Sequence, residues 1–327
     1  MRLAIVIVNY KTGDMVADCL RSIADTTELD TRPRVVVVDN NSPDDSADRI
    51  GQAIDADFQD FATLVRAEKN GGFSYGNNVG IRRALEDDPE LDAVLLLNPD
   101  TIVLPGALDE LAMFLEHNPE AGLIGPRLLE PGETDRRGRP QRSAFRFPSI
   151  ASEFEANAQL GVVSTLLRSR VVAPAPSDEP HTCDWLSGAA LCIRREVLET
   201  VGPMDEGYFL YYEETDYCRR ARALGYRCWH VPDASIVHLE GQATGVTHAK
   251  PRRRPGFWFD SRRLYFMSHH GRLYAIGADL AAVLGTTIAR AKRLLLRRPI
   301  HSPPHYARDL VTQGALSNGV QARRHRQ

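Results

Sequence analysis

Val94-Leu95-Leu96-Leu97-Asn98-Pro99-Asp100 runs a strand of apolar side chains straight into a proline and a carboxylate. Proline lacks the ladder donor and marks a chain end, so Asp100 is expected at the C-terminal edge of a sheet. Open α/β sheets bind their ligands at that edge. Two further apolar runs, residues 3–8 and 35–38, read like residues 93–97 as strands buried on both faces. Between the first two lies a helical pattern with Met15, Val16, Cys19, Leu20 and Ile23 on one face, and a second helix ends near Leu85. This alternation predicts an α/β fold with an open, doubly wound, mostly parallel sheet. The loops Asn9-Tyr10-Lys11, Asp39-Asn40-Asn41-Ser42 and Asn98-Pro99-Asp100 then open on one edge.

The chain has 327 residues, 43% hydrophobic and 25% charged, enough for a substantial globular core. Five cysteines without a CxxC argue against a disulfide framework or zinc site and for a reducing cytoplasm. Leu3 to Val8, preceded by one arginine, reads as a buried strand rather than a signal peptide. Charge is divided unevenly. Residues 1–245 carry −16 and residues 246–327 carry +13, so a basic C-terminal extension follows an acidic body. Such an extension suits anionic headgroups, nucleic acid or the acidic body itself. No run is expected to reach the length of a membrane span. The nearest, Leu273 to Ala289, contains Asp279 and leads into a basic stretch at residues 290–298. It reads either as an interfacial amphipathic helix or as a helix packed on the domain with a solvated basic face.

Several side chains suit chemistry at the sheet edge. Ser42-Pro43-Asp44-Asp45 reads as a helix start, which assigns capping to Ser42 and leaves Asp39 free to accept from a nucleoside. The segment from Asn70 to Gly80, with Gly72 and Asn77, combines glycines and side-chain amides ahead of a helix, where backbone N–H groups can approach a diphosphate. It lacks a P-loop's Gly-Lys-Ser/Thr, and a plain glycine turn is the alternative. Glu213, Glu214 and Asp216 lie among Phe209, Leu210, Tyr211, Tyr212 and Tyr217, which pull them toward the interior. Burial raises a carboxylate's pKa toward that of a useful base. The alternative is a helix N-terminus whose acids pair with Arg219, Arg220 and Arg222. His238 follows in an apolar setting, where a plainly buried histidine is the competing reading. A carboxylate for a metal, another for a base and a histidine for either role suit metal-assisted transfer from a diphosphate. Acceptor contacts are expected from Trp185, Asp184 and the loop arginines Arg136, Arg137, Arg139 and Arg142, Trp185 being equally readable as core.

Taken in order, VNYKT at 8–12, VVDNNS at 37–42, NGGFSYGNNVGI at 70–81, LLLNPDT at 95–101, the stretch from Trp185 to Tyr226 and IVHLEG at 236–241 resemble family 2 glycosyltransferases. The nearest likeness is to the rhamnosyltransferase-like branch that builds bacterial cell-surface polysaccharides. The resemblance covers residues 1–245 and implies a GT-A fold, a nucleotide-sugar donor, Mg²⁺ or Mn²⁺, and inversion at the anomeric carbon. It implies a donor-binding half at 1–105, an acceptor half at 106–245 and an appended extension at 246–327. Asn9, Asp39, Asn70, Gly72, Asn77, Asn98 and Asp100 would face the donor, with Asp39 at the base. Asn98-Pro99-Asp100 would replace the common Asp-x-Asp, with Asp100 and His238 as metal ligands. Glu214 falls at the catalytic position, one methylene longer than the usual Asp, and the base stays open among Glu213, Glu214 and Asp216. The first donor expected is dTDP-rhamnose, ahead of UDP-hexoses. The acceptor would be a lipid-linked or polysaccharide hydroxyl at the inner face of the membrane, with no nucleic-acid partner. Two rivals are a sugar nucleotidyltransferase, which wants a basic Gly-rich loop where Asn9-Tyr10-Lys11-Thr12-Gly13 stands, and a catalytically silent sugar-nucleotide-binding subunit, suggested by Asn98 and the Glu-Glu pair.

Overall fold

The computed structural model describes residues 1–26, 33–132, 138–239, 252–297 and 302–317. The strands are β1 (Leu3–Asn9), β2 (Arg34–Asp39), β3 (Ala62–Arg66), β4 (Ala93–Leu97), β5 (Thr101–Val103), β6 (Ala121–Leu129), β7 (Ala144–Phe145), β8 (His181–Cys183), β9 (Trp185–Leu186), β10 (Ala190–Arg194) and β11 (Arg227–His238). The α-helices are α1 (Gly13–Ala24), α2 (Ser46–Ala53), α3 (Gly72–Asp87), α4 (Ala107–His117), α5 (Ile150–Ala158), α6 (Gly161–Leu166), α7 (Arg195–Val201), α8 (Glu213–Ala223), α9 (Gly256–His270), α10 (Arg272–Leu295) and α11 (Tyr306–Gln313).

The three apolar runs form the parallel heart of a mixed sheet ordered β3-β2-β1-β4-β10-β6-β11-β5, with β8 also paired to β11. Every residue of β1 and β4 is buried, as expected for strands covered on both faces. Register puts Asn9 opposite Asp39, and β4 ends two residues short of that level, with Leu97 opposite Ile7, so Asn98 to Asp100 follow at the same edge. β10 then enters antiparallel beside β4, with Ala190 opposite Leu97. The sheet is therefore parallel where the donor-side loops lie and mixed beyond them. β3 occupies a region where no strand was expected. β3 is half exposed, so it lacks the apolar run that announced its neighbours.

The glycine-rich segment also differs from expectation, because α3 already begins at Gly72 and takes Gly76, Asn77 and Gly80 into the helix. A Cβ on Gly76 would come 2.6 Å from a methyl of Val8, and one on Gly80 would strike Val6. These two glycines let α3 lie directly on β1. Only the N-terminal end, where Gly72 has φ +87°, keeps the form of a turn.

Compactness divides the chain into two units. One comprises Met1–Phe145, Ala173–Glu206 and Glu213–Thr247 and holds the sheet; the other comprises Arg146–Val172, Gly207–Tyr212 and His248–Gln327. The second unit is helical. Its core gathers Tyr208, Tyr265, Phe266 and Ala278 in one cluster and Trp258, Phe259, Tyr306 and Leu310 in another. Ala275, Ala278, Ala282, Gly285 and Ala289 of α10 are buried where that helix packs on α5. Arg262, 2% exposed, pairs there with Glu153 and Asp279.

Candidate active site

The donor-side loops are cross-braced by short polar side chains. Asn9 donates through Nδ2 to Asp39 Oδ1 at 2.7 Å and to Ser42 Oγ at 3.2 Å. Its Oδ1 accepts from the backbone and hydroxyl of Thr12. Asp39 Oδ2 accepts from the Ser42 N–H at 3.0 Å, so Asp39 closes its own turn. This corrects the expectation that Ser42 caps a helix and leaves Asp39 free: α2 starts only at Ser46, with Asp45 at its N-cap. A carboxylate has more lone pairs than these two bonds use, so Asp39 retains acceptor capacity. Asn40 bridges the next loop, donating to Asn70 Oδ1 at 3.1 Å and to the Gly72 carbonyl at 2.9 Å. Asn77 is turned into α3, where its amide donates to the Phe73 carbonyl at 3.0 Å and is almost fully buried. Its burial corrects the expectation of a donor-facing amide.

At the end of β4 the Asn98 N–H donates to the Ala189 carbonyl at 2.9 Å. The Asn98 carbonyl takes the Thr101 hydroxyl at 2.7 Å. β5 then pairs antiparallel with the end of β11, setting Thr101 opposite His238. Asp100 is thereby buried with its Oδ1 3.6 Å from His238 Nε2. That separation is too long for a hydrogen bond, and a carboxylate beside an imidazole is a donor set that would suit Mg²⁺ or Mn²⁺. Gln141 orients the ring: its Nε2 donates to the His238 carbonyl at 2.9 Å, which forces its Oε1 to face His238 Nδ1 at 3.1 Å. A proton on Nδ1 satisfies that bond and leaves the Nε2 lone pair directed toward Asp100. Among the described residues no group of three or more His, Cys, Asp or Glu side chains assembles into a metal cluster. A cation here would take two protein ligands at most from this pair and complete its shell with substrate oxygens.

The acidic knot opens α8. Two consecutive residues, Tyr211 and Tyr212, stand at φ +71°, a left-handed conformation that costs non-glycine residues about 1–2 kcal/mol each. Glu213 follows at 4% exposure, and Oε2 of both Glu213 and Glu214 is buried with no hydrogen-bond partner among the described residues. Burial pushes the Glu214 carboxyl up to about 7, partly offset by the N–H groups of Glu214 and Thr215. Burial and the neighbouring Glu214 raise Glu213 as well. Gly188 lies beside Glu214: a Cβ there would be in ordinary contact, 3.8 Å from Glu214 Cδ and 3.6 Å from the Phe73 ring. Ala189, next to Gly188, accepts from the Asn98 N–H, so the turn beside Glu214 is also bonded to the end of β4. Asp216 has a different setting. Its Oδ2 accepts from Arg220 Nε at 2.8 Å, and Arg220 also holds the Val201 and Pro203 carbonyls. Asp216 thus has a cationic partner of its own, which sets it apart from Glu213 and Glu214.

Of the acceptor candidates, Trp185 stacks on Phe145 with centroids 4.1 Å apart, so one ring face is already covered. Asp184 forms an ion pair with Arg222. Arg142 is exposed and lines a small polar cavity with Gln141, Ser143, Ser177, His181 and His230. Arg136 and Arg137 lie outside the described residues. Sequence reasoning missed Gln141, Asn40 and Gly188. Gln141 is 97 residues from His238, and no local signal ties the two together.

Known proteins share this architecture. The model of glycosyl transferase family 2 matches residues 4–173, and that of glycosyl transferase family group 2 matches residues 93–290. The low-salt glycan biosynthesis hexosyltransferase Agl10 of Haloferax volcanii is 30% identical over 223 residues, covering 67% of this chain and 61% of that protein. The N-acetylglucosaminyl-diphospho-decaprenol L-rhamnosyltransferase of Mycobacterium tuberculosis is 29% identical over 292 residues, 85% of this chain and 84% of that protein. In fold, the chain is similar to GalNAc-T7, solved with UDP, GalNAc and Mn²⁺, at a TM-score of 0.61 and 15% identity, covering 95% of this chain and 58% of that one. With a mostly parallel sheet whose strand ends carry Asp39 and Asp100, and with a family model spanning more than half its length, the chain belongs to glycosyl transferase family 2.

Proposed function

We propose that this chain is an inverting, metal-dependent glycosyltransferase that moves a hexosyl group from a nucleoside diphosphate sugar to a hydroxyl of a lipid-linked or polysaccharide acceptor. The observation that carries this reading is the Glu213–Glu214 pair, buried with no cationic partner and with Oε2 of each unbonded among the described residues. A carboxyl raised to about 7 is half ionised near neutrality and suited to take a proton. Glu214 accepts the acceptor's hydroxyl proton as that oxygen bonds to the anomeric carbon and the bond to the diphosphate breaks on the opposite face. One displacement inverts the configuration and needs no nucleophile from the protein. Glu213, also raised by its burial and by Glu214 beside it, shares this site.

Asp100 and His238 would hold Mg²⁺ or Mn²⁺, with Gln141 fixing the histidine tautomer. When bound, such an ion neutralises charge growing on the leaving diphosphate. Asp39 has acceptor capacity left for a nucleoside, and the N-terminal end of α3 at Gly72 offers backbone N–H groups near the donor. The name of the rhamnosyltransferase relative supports rhamnose as the first sugar to test and a lipid-linked diphosphate as the acceptor. We propose dTDP as the nucleotide and the inner face of a membrane as the place of transfer.

The test is incubation of the full chain with Mn²⁺ and dTDP-rhamnose or UDP-hexoses and an acceptor analogue. Nucleoside diphosphate release and the product's anomeric configuration are followed by NMR. Release with inversion is expected, and a preference for dTDP over UDP identifies the donor class. Retention, or no turnover of any nucleotide sugar by folded protein, overturns the proposal.

A further inference from the structure

The long helix α10 carries its large side chains on the outside. At 3.6 residues per turn, Leu273, Leu280, Leu284 and Leu295 fall within one face, and they are 87%, 53%, 54% and 84% exposed. The opposite, buried face is built of Ala275, Ala278, Ala282, Gly285 and Ala289. A helix docked on a globular core presents the reverse arrangement. Small residues inward and leucines outward are the pattern of a helix whose second neighbour is apolar.

The surroundings specify what that neighbour is. Gln159 accepts from Lys292 and Arg293, which brings the start of α6 alongside the end of α10. Val162 and Leu166 of α6 are exposed as well. Residues 160–172 and 280–297 together contain Arg168, Arg170, Arg290, Lys292, Arg293 and Arg297, and no aspartate or glutamate. A wide exposed apolar strip beside six cations and no carboxylate complements an anionic lipid surface. Contrary to the sequence expectation, Arg272–Leu295 is long and apolar enough to cross a membrane by length and composition. Its inner face is nevertheless committed to α5 and to the buried Asp279–Arg262–Glu153 network, an arrangement for lying in an interface rather than spanning it.

We infer that the outward leucine strip of α10, continued by α6, is a docking surface for an anionic bilayer. The leucines enter the acyl boundary while the flanking cations meet headgroups. This extends the membrane location proposed above, and its test does not depend on the transfer reaction.

The full chain is sedimented with vesicles of phosphatidylcholine alone and of phosphatidylcholine with phosphatidylglycerol. Binding to the anionic vesicles, weakened by salt, is expected. The double variant Leu280→Glu/Leu284→Glu should bind at least about tenfold more weakly, with unchanged melting temperature and unchanged vesicle-free donor hydrolysis. Arg168→Glu/Arg170→Glu should lower binding to anionic vesicles, with no change on neutral ones. Wild-type binding by the leucine variant, or no binding by the wild-type chain, overturns the inference. So does a solution dimer that the leucine variant splits, because a second copy would then cover the face. A chain that docks on vesicles but turns over no donor keeps the docking surface and loses the transferase proposal.

Discussion

Two groups of inward-facing carboxylates in this molecule meet opposite surroundings. In the helical unit, Arg262 pairs with both Glu153 and Asp279, and Asp279 also accepts from the Ala315 N–H at 2.7 Å. At the head of α8, Glu213 and Glu214 have no cationic partner among the described residues, and one oxygen of each lacks any hydrogen bond. The first group has its charge neutralised on site and serves packing. The second is held near neutrality by burial and can exchange a proton. Burial alone therefore does not distinguish a structural acid from a reactive one; the counter-ion does.

The largest effect expected is on turnover. Glu214→Gln keeps shape and removes the proton acceptor, so kcat should fall roughly 10²–10⁴-fold with donor affinity little changed. Asp216→Asn should act through stability by releasing Arg220. A near-normal rate for Glu214→Gln beside an inactive Asp216→Asn would reverse the roles assigned to the two residues.

The converse experiment removes the counter-ion. Arg262→Met leaves Glu153 and Asp279 without their cation and should destabilise the protein by about 3–5 kcal/mol in urea unfolding. Adding Asp279→Asn to that variant should recover part of the loss. A fully stable single variant would show that the network is not what holds those acids.

A third test uses pH. Glu214 is raised in the folded state from 4.5 to about 7, so between those values the native protein binds more protons than the unfolded chain. Its contribution to stability is complete below about pH 4.5 and is lost as pH rises through 7. Glu214→Gln should therefore be more stable than wild type at pH 8, by up to about 3 kcal/mol, with the difference vanishing near pH 4. The rate should rise with pH through the same range. A variant no more stable than wild type at pH 8 would mean that Glu214 is not held neutral.

The smallest effect concerns a residue that acts through another. Gln141→Leu frees the His238 ring, and loss of such an orienting bond costs roughly 10–100-fold in metal affinity. Mn²⁺-dependent donor binding by calorimetry measures it, with Gln141→Glu as the variant that should retain the Nδ1 contact. Unchanged binding in Gln141→Leu removes Gln141 from the site.

The parallel half of the fold was legible because strands buried on both faces need uninterrupted apolar runs, as at Val35 to Val38 and Ala93 to Leu97. Strand-end chemistry was legible for the same reason, since Asp39 and Asp100 follow those runs directly and the sheet geometry aligns their ends. The acidic knot was visible because aromatic neighbours signal burial. Which of its acids is paired depended on Arg220 reaching Asp216, in a helix that docks beside β9. Gln141 beneath His238, the glycines of α3 set against β1, and the outward leucines of α10 were likewise settled by tertiary packing. Local pattern can specify burial and period, whereas the pairing of a particular side chain depends on partners that the chain brings together only when folded.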